Sequence, residues 1–246
     1  MFSIADRNHV RERVLQHAAQ DPRVVSGAVV GSLAVADGDR WSDLDLTFGV
    51  ADDVSPLDVL EDWTNAIISE FDAARLFDLP SGPSIYRVFL LPGCLQFDLS
   101  FTPASQFGAT GAKFKLLFGA AVEKAHIQAT PAHELFGYAV HHLVRARVCI
   151  ERCRYWQAEY WVSSARDYVL SLACQRRGLS PFHGRGFDDL PREIREAMTE
   201  AIPRELERES LQKAVRAAVE GLLREADEMQ ELVAKLKPQL RELTER

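Results

Sequence analysis

Between Val24 and Phe101 the chain breaks into short apolar runs, several alternating with a period of two, and after Pro103 that pattern stops. A strand sends successive side chains to opposite faces, whereas a helix repeats every 3.6 residues. The change of period therefore limits the fold more than any other feature: the first part must build a sheet, and the rest must build helices. Val24 to Val30 is apolar and β-branched, as a buried strand is. Leu44 to Val50 is a second strand, with Asp43 and Asp45 at its start. Ala74 to Leu79 and Ile85 to Leu91 follow, separated by the turn Pro80-Ser81-Gly82-Pro83. Leu95 to Phe101 alternates: Leu95, Phe97, Leu99 and Phe101 on one side, Gln96, Asp98 and Ser100 on the other.

Helical segments frame these strands. Residues 3–20 form one, capped by Ser3, with Val10, Val14 and Leu15 at helical spacing and an end at Asp21-Pro22. Pro56 to Phe71 forms another, with Leu57, Leu60, Ile67 and Ile68 as its apolar side. Residues 104–130 carry Gly108, Gly111 and Gly119 and read as an irregular linker. From Ala132 onward the spacing is helical: His133 to Glu151, then Arg154 to Arg177, broken by Gly178-Leu179-Ser180-Pro181. Short helices are expected beside Pro191 and Pro203. A long helix begins near Ser210, its apolar positions running from Leu211 through Leu222, Met229 and Leu236 to Leu243, with Pro238 expected to kink or end it. This spacing suits a bundle helix better than a coiled coil in so short a segment. The predicted division is residues 1–126 and 127–246.

Charge and length restrict function. The chain of 246 residues has room for one or two domains and needs no disulfide or metal to hold its core. Lys and Arg number 29 against 36 Asp and Glu, a net charge of −7, and all of that excess lies in the first half. An acidic surface matches a nucleic-acid backbone poorly, and it is a source of carboxylates for hard cations. No apolar run is long enough for a membrane span, and the N-terminus lacks an apolar signal region, so a cytoplasmic location is expected. The four cysteines form no Cys-x-x-Cys pair and read as reduced thiols rather than a zinc site.

The chemistry concentrates in Val29-Val30-Gly31-Ser32 and Asp43-Leu44-Asp45-Leu46. A strand runs into a Gly-Ser turn, and a second strand opens with two carboxylates on one face. Such a pair repels itself unless a cation lies between. Mg²⁺ takes one or two carboxylates plus substrate phosphates. Glycine lets a backbone approach a phosphate, and the Ser32 hydroxyl with nearby N–H groups can hold it. Asp98, an acid amid apolar neighbours on a later strand, is the third carboxylate, and three such acids suit a two-metal site. An isolated Asp-x-Asp would read only as a solvated loop.

This constellation resembles the signature of the nucleotidyltransferase superfamily that includes DNA polymerase beta. With a helical second half, the chain looks most like the bacterial aminoglycoside and lincosamide nucleotidyltransferases. The likeness in motif covers roughly residues 25–102; the helical half offers only Tyr155-Trp156-Gln157-Ala158-Glu159 followed by Arg166. The resemblance implies an α+β fold, in which a mixed sheet flanked by helices precedes a helical bundle that binds substrate. It implies two Mg²⁺ ions and a nucleoside triphosphate, ATP first, whose AMP passes to a hydroxyl of a small acceptor with release of pyrophosphate. Asp43, Asp45 and Asp98 would bind metal, with Asp98 next to the attacking hydroxyl, and Gly31 and Ser32 would hold the terminal phosphates. A general base could come from Glu134, Glu151 or Glu159, with Glu159 first because Trp156, Tyr160 and Trp161 surround it; Asp98 is the alternative. No nucleic-acid or membrane partner is implied, and the oligomeric state is left open. A regulatory or antitoxin-like enzyme acting on a partner protein is the alternative function, disfavoured by the long helical extension.

Several residues admit two readings. Lys113 and Lys115 suit either a phosphate or an exposed linker. His141-His142 reads as structural, and the Trp156, Tyr160 and Trp161 set as packing before pocket wall. Arg166 is a phosphate ligand or an ion-pair partner near Asp167. His183-Gly184-Arg185-Gly186 is a lid or a connector.

Overall fold

The computed structural model describes residues 1–35, 38–125, 129–226 and 229–245. The chain divides into two compact units, Met1–Gln128 and Ala129–Arg246.

The first unit contains α1 (Ile4–Gln20), β1 (Val24–Val30), β2 (Leu44–Val50), α2 (Pro56–Phe71), β3 (Ala74–Ser81), β4 (Ser84–Leu91), β5 (Leu95–Pro103) and β6 (Phe114–Phe118). The sheet order is β3-β4-β5-β2-β1-β6. β2 and β5 pair in parallel while the other neighbours are antiparallel, so the sheet is mixed. Ser3 caps α1 through a reciprocal capping box with Asp6, and Ser55 caps α2 ahead of Pro56. One face of the sheet is apolar: Leu44, Leu46, Phe48 and Val50 of β2, with Phe97, Leu99 and Phe101 of β5, pack against Val10, Val14, Leu60 and Ile67 of the helices. Trp63 centres this layer, its ring 5.0 Å from Phe101 and 5.3 Å from Phe48. The buried Arg87 guanidinium on the same side is matched by Asp78, Glu61 and Thr64.

Two expectations for this unit need correction. The stretch 104–130 is not wholly a linker, because β6 lies within it and pairs antiparallel with β1 at the sheet edge. Its strand state comes from β1, whose outer edge would otherwise expose unpaired N–H and C=O groups. The inner face of α2 is Val59, Leu60, Trp63, Thr64 and Ile67; Leu57 and Ile68 lie beside this stripe and are exposed.

The second unit comprises α3 (Ala132–Glu151), α4 (Tyr155–Gln175), α5 (Arg192–Thr199), α6 (Arg208–Glu225) and α7 (Gln230–Glu242). α3 and α4 pack on each other and both pack on α6. Their shared core runs from Leu135 and Phe136 through Val162 and Leu172 to Val215 and Leu222. Pro191 does precede a helix, α5, whereas Pro203 lies in irregular chain between α5 and α6. The long C-terminal helix is divided instead into α6 and α7, with Ala226 between them outside both. Pro238 neither starts nor ends α7, which continues to Glu242. Only Leu240 of α7 is buried, so water can satisfy the carbonyl that the proline leaves without a helical donor. The architecture is α+β: a mixed sheet with flanking helices, then a helical unit. Among the described residues no helix is long and apolar enough to cross a membrane.

Candidate functional site

The face of the sheet away from α1 and α2 is polar, and its residues fall into rows across the strands. Asp45 of β2 is in register with Asp98 of β5, which is opposite Val88 of β4. One step along, Thr47, Ser100 and Tyr86 form the next row. The Ser100 hydroxyl donates to Thr47 Oγ1 at 2.8 Å, and Ser84 Oγ and Thr102 Oγ1 share a hydrogen bond of 2.7 Å a row further on. Phe107, after β5, packs over Gly49 and covers that end of the face. At the opposite end Asp45 and Asp98 stand side by side on adjacent strands, two carboxylates in register on the polar face.

Gly31 sits against this pair. β1 ends in a short 3₁₀ turn, Gly31–Ala34, and Gly31 has φ +71°. A Cβ there would fall 2.3 Å from Asp45 Oδ2, so both the left-handed backbone and the close approach of the carboxylate require glycine. The Gly31 N–H donates to the Lys113 carbonyl at 3.1 Å, just before β6 begins. The strand absent from the sequence reading thus fixes the Gly-Ser turn. Ser32 follows in the turn, half-buried.

Asp43 lies one residue before β2 and is half-buried. Burial pushes the Asp98 carboxyl above the usual carboxylate range; a hydrogen bond from Gln96 works against this, and the nearby Asp43 charge adds to it. Burial also pushes the Tyr86 phenol up, opposed by its hydrogen bond with Ser100 and reinforced by the charge of Asp45. Tyr86 therefore stays a neutral phenol beside the carboxylates at neutral pH. Among the described residues no group of three His, Cys, Asp or Glu side chains forms a ready-made metal cage. The donor set nonetheless fits Mg²⁺. Asp45 and Asp98 are a registered pair, Asp43 is close enough to raise the Asp98 carboxyl, and Mg²⁺ characteristically completes its shell with phosphate oxygens and water.

Glu159 belongs to the second unit, on α4, half-buried and accepting a hydrogen bond from Ser163 Oγ. The surrounding aromatics expected to desolvate it do so poorly: Trp156 is 80% exposed and Tyr160 60% exposed, with only Trp161 half-buried. Consecutive helical residues point in different directions, and this turn points two of its aromatics into solvent. Glu134 stands in the first turn of α3, and Glu151 is paired with Arg147 and Arg208. Trp161 packs edge-on against His142, whose Nδ1 lies 2.6 Å from the Tyr138 carbonyl, the arrangement of a structural histidine. Arg166 pairs with Asp167 itself. His183 and Gly184 fall in a 3₁₀ turn with left-handed backbone at both residues. Lys115 is a β6 residue opposite Val29. A groove of about 480 Å³ between α3 and α7 is lined by aliphatic Val140, Val144, Leu236 and Leu240 with a few polar groups, and it contains none of the candidate site residues.

Two residues of the sheet unit escaped the sequence reading. Tyr86 read as one member of an apolar strand, and only the cross-strand register places it next to Ser100 and Asp45. Arg7 carries no local signal in the sequence, yet it is buried under the loop that leads to Asp43.

No protein-family model matches the sequence, and no curated protein matches it. Among solved structures, the chain is similar to an aminoglycoside 6-adenyltransferase from Bacillus subtilis, at 13% identity and a TM-score of 0.41, with 95% of this chain and 96% of that chain covered.

Proposed function

We propose that the chain is a Mg²⁺-dependent nucleotidyltransferase that moves a nucleoside monophosphate, AMP from ATP, onto a hydroxyl of a small molecule of the aminoglycoside or lincosamide kind. The observation that carries this reading is the registered pair Asp45 and Asp98 on the polar face, with Gly31 held in a left-handed turn against the Asp45 carboxylate. In this reading Asp43, Asp45 and Asp98 hold the metal. When bound, Mg²⁺ supplies positive charge to the phosphates and orients them for in-line displacement. Gly31 and Ser32 receive the β- and γ-phosphates. The acceptor oxygen attacks the α-phosphorus, the bond from that phosphorus to the bridging oxygen breaks, and pyrophosphate leaves while the hydroxyl proton passes to a base. Catalysis of this kind is mainly positioning and charge stabilisation. Asp98 is the base candidate of the sheet unit, as the carboxylate that would lie next to the attacking hydroxyl. Glu159, on α4, is the other base candidate.

The reading is tested by following pyrophosphate release with Mg²⁺, ATP and a panel of aminoglycosides and lincosamides. Asp45→Asn and Asp98→Asn are expected to stay folded and to lose roughly 10²-fold or more of turnover, as loss of a principal electrostatic contact does. Near-normal turnover in either variant removes the assignment. Glu159→Gln discriminates between the bases: a general base is worth about 10²–10⁴-fold, and a fall of less than roughly threefold returns the role to Asp98.

A further inference from the structure

We propose that Arg7 is a positioning residue: from α1 it fixes the backbone that delivers Asp43 to the carboxylate cluster. This rests on the reading of that cluster as a metal site.

Arg7 is only 5% exposed. Its Nη1 donates to two carbonyls of the loop that precedes β2, Asp39 O at 2.8 Å and Ser42 O at 2.6 Å. The Ser42 carbonyl belongs to the peptide bond that joins Ser42 to Asp43, so the guanidinium sets the plane from which the Asp43 side chain departs. Both carbonyls belong to one turn that is already locked from within. The Asp39 carboxylate accepts from the Trp41 N–H at 2.8 Å and from the Ser42 hydroxyl, and Ser42 Oγ accepts from the Asp39 N–H at 3.0 Å. Arg7 therefore ties a rigid turn to α1. That helix is itself anchored, by its capping box and by the Phe2 N–H, which donates to the Gly93 carbonyl at 2.7 Å.

A buried arginine is an expensive way to hold a loop. The Arg7 Nε is buried without a hydrogen-bond partner, a loss that an aliphatic residue at this helix position would avoid. The compensation is the pair of charge-assisted bonds, and both end on the peptide groups that bracket the approach to Asp43. Groups that orient a metal ligand from behind typically change metal affinity by about 10–100-fold when removed.

The test uses the full chain with Mn²⁺ as the metal probe, free Mn²⁺ being counted by its paramagnetic resonance signal. Arg7→Lys, Arg7→Met and Ser42→Ala are compared with wild type and with Asp43→Asn. Ser42→Ala loosens the same turn and leaves the buried side chain in place, so it decides the matter if Arg7→Met does not fold. Folded variants are expected to bind Mn²⁺ about tenfold more weakly, the low end of the range for a supporting group, with Arg7→Lys less affected than Arg7→Met. In turnover, the Mg²⁺ concentration for half-maximal rate should rise by a similar factor, while the rate at saturating Mg²⁺ changes less than about threefold, since a looser ligand is recovered by mass action. Wild-type Mn²⁺ affinity in Arg7→Lys and Ser42→Ala, whatever their melting temperatures, overturns the proposal and leaves the metal site standing. Absence of Mn²⁺ binding in wild type overturns both.

Discussion

At the scale of single residues, Gly31 and Asp21 show two ways a side chain, or its absence, sets local structure. Gly31→Ala must adopt φ +71° with a Cβ 2.3 Å from the Asp45 carboxylate. The left-handed backbone alone costs roughly 1–2 kcal/mol, a few degrees of melting temperature in a chain this long. Displacing Asp45 by even 1 Å is expected to cost about 10²-fold in turnover, so activity should fall far more than stability does. Parallel melting curves and pyrophosphate assays check this. Asp21 closes α1 and accepts from Arg23 and from Trp63 Nε1, the latter at 2.8 Å. Arg23 is the main reason the carboxyl lies well below the usual carboxylate range, with burial opposing and Trp63 assisting. A depressed folded-state value stabilises the protein above the ordinary carboxylate pKa of about 3.9, and this contribution is lost as pH falls through the folded value. Asp21→Asn is expected to destabilise by about 1–3 kcal/mol at pH 7, and the gap to wild type should shrink as pH drops below about 4. Urea unfolding across that range measures it.

At the scale of elements, β1, β2 and α2 follow the limits visible in the sequence, because strong punctuation bounds each. Gly31 ends the first, the Asp43 turn opens the second, and Ser55-Pro56 opens the third. β6 shows the reverse. Phe114 to Phe118 alternates weakly between glycine-rich segments, and only the open edge of β1 makes it a strand. α7 does not end at Pro238, where a kink or an end is expected: the helix runs on to Glu242, since helix breaking by proline is a propensity. The cost remains in the element. Pro238→Ala should stabilise α7 by up to about 3 kcal/mol, the interior difference between the two residues, and slow amide exchange across residues 230–242. Unchanged exchange there would mean that α7 is held by its ends alone.

At the scale of the whole molecule, the two units have cores with no residue in common. One runs from Phe2 to Phe101 and the other from Leu135 to Leu240. Each buries its own apolar surface, which is the condition for folding alone. Residues 1–128 expressed by themselves are therefore expected to unfold cooperatively and to retain Mn²⁺ binding, as followed by circular dichroism and metal titration. A non-cooperative melt would show that the sheet depends on the helical unit.

The sequence by itself determined β1 to β5 with the helices between and before them, the carboxylate motif and its Gly-Ser turn, since each depends on neighbours within a few positions along the chain. It led to the expectation that Asp43 and Asp45 share a face, because an extended strand alternates its faces; Asp43 lies one residue before β2. That Asp98 lies beside Asp45, that Tyr86 joins Ser100 and Thr47, and that Arg7 reaches Ser42 from α1 were decided only in three dimensions. Strand register and helix docking are set by the shared burial of residues far apart in the chain, and no local spacing carries that information.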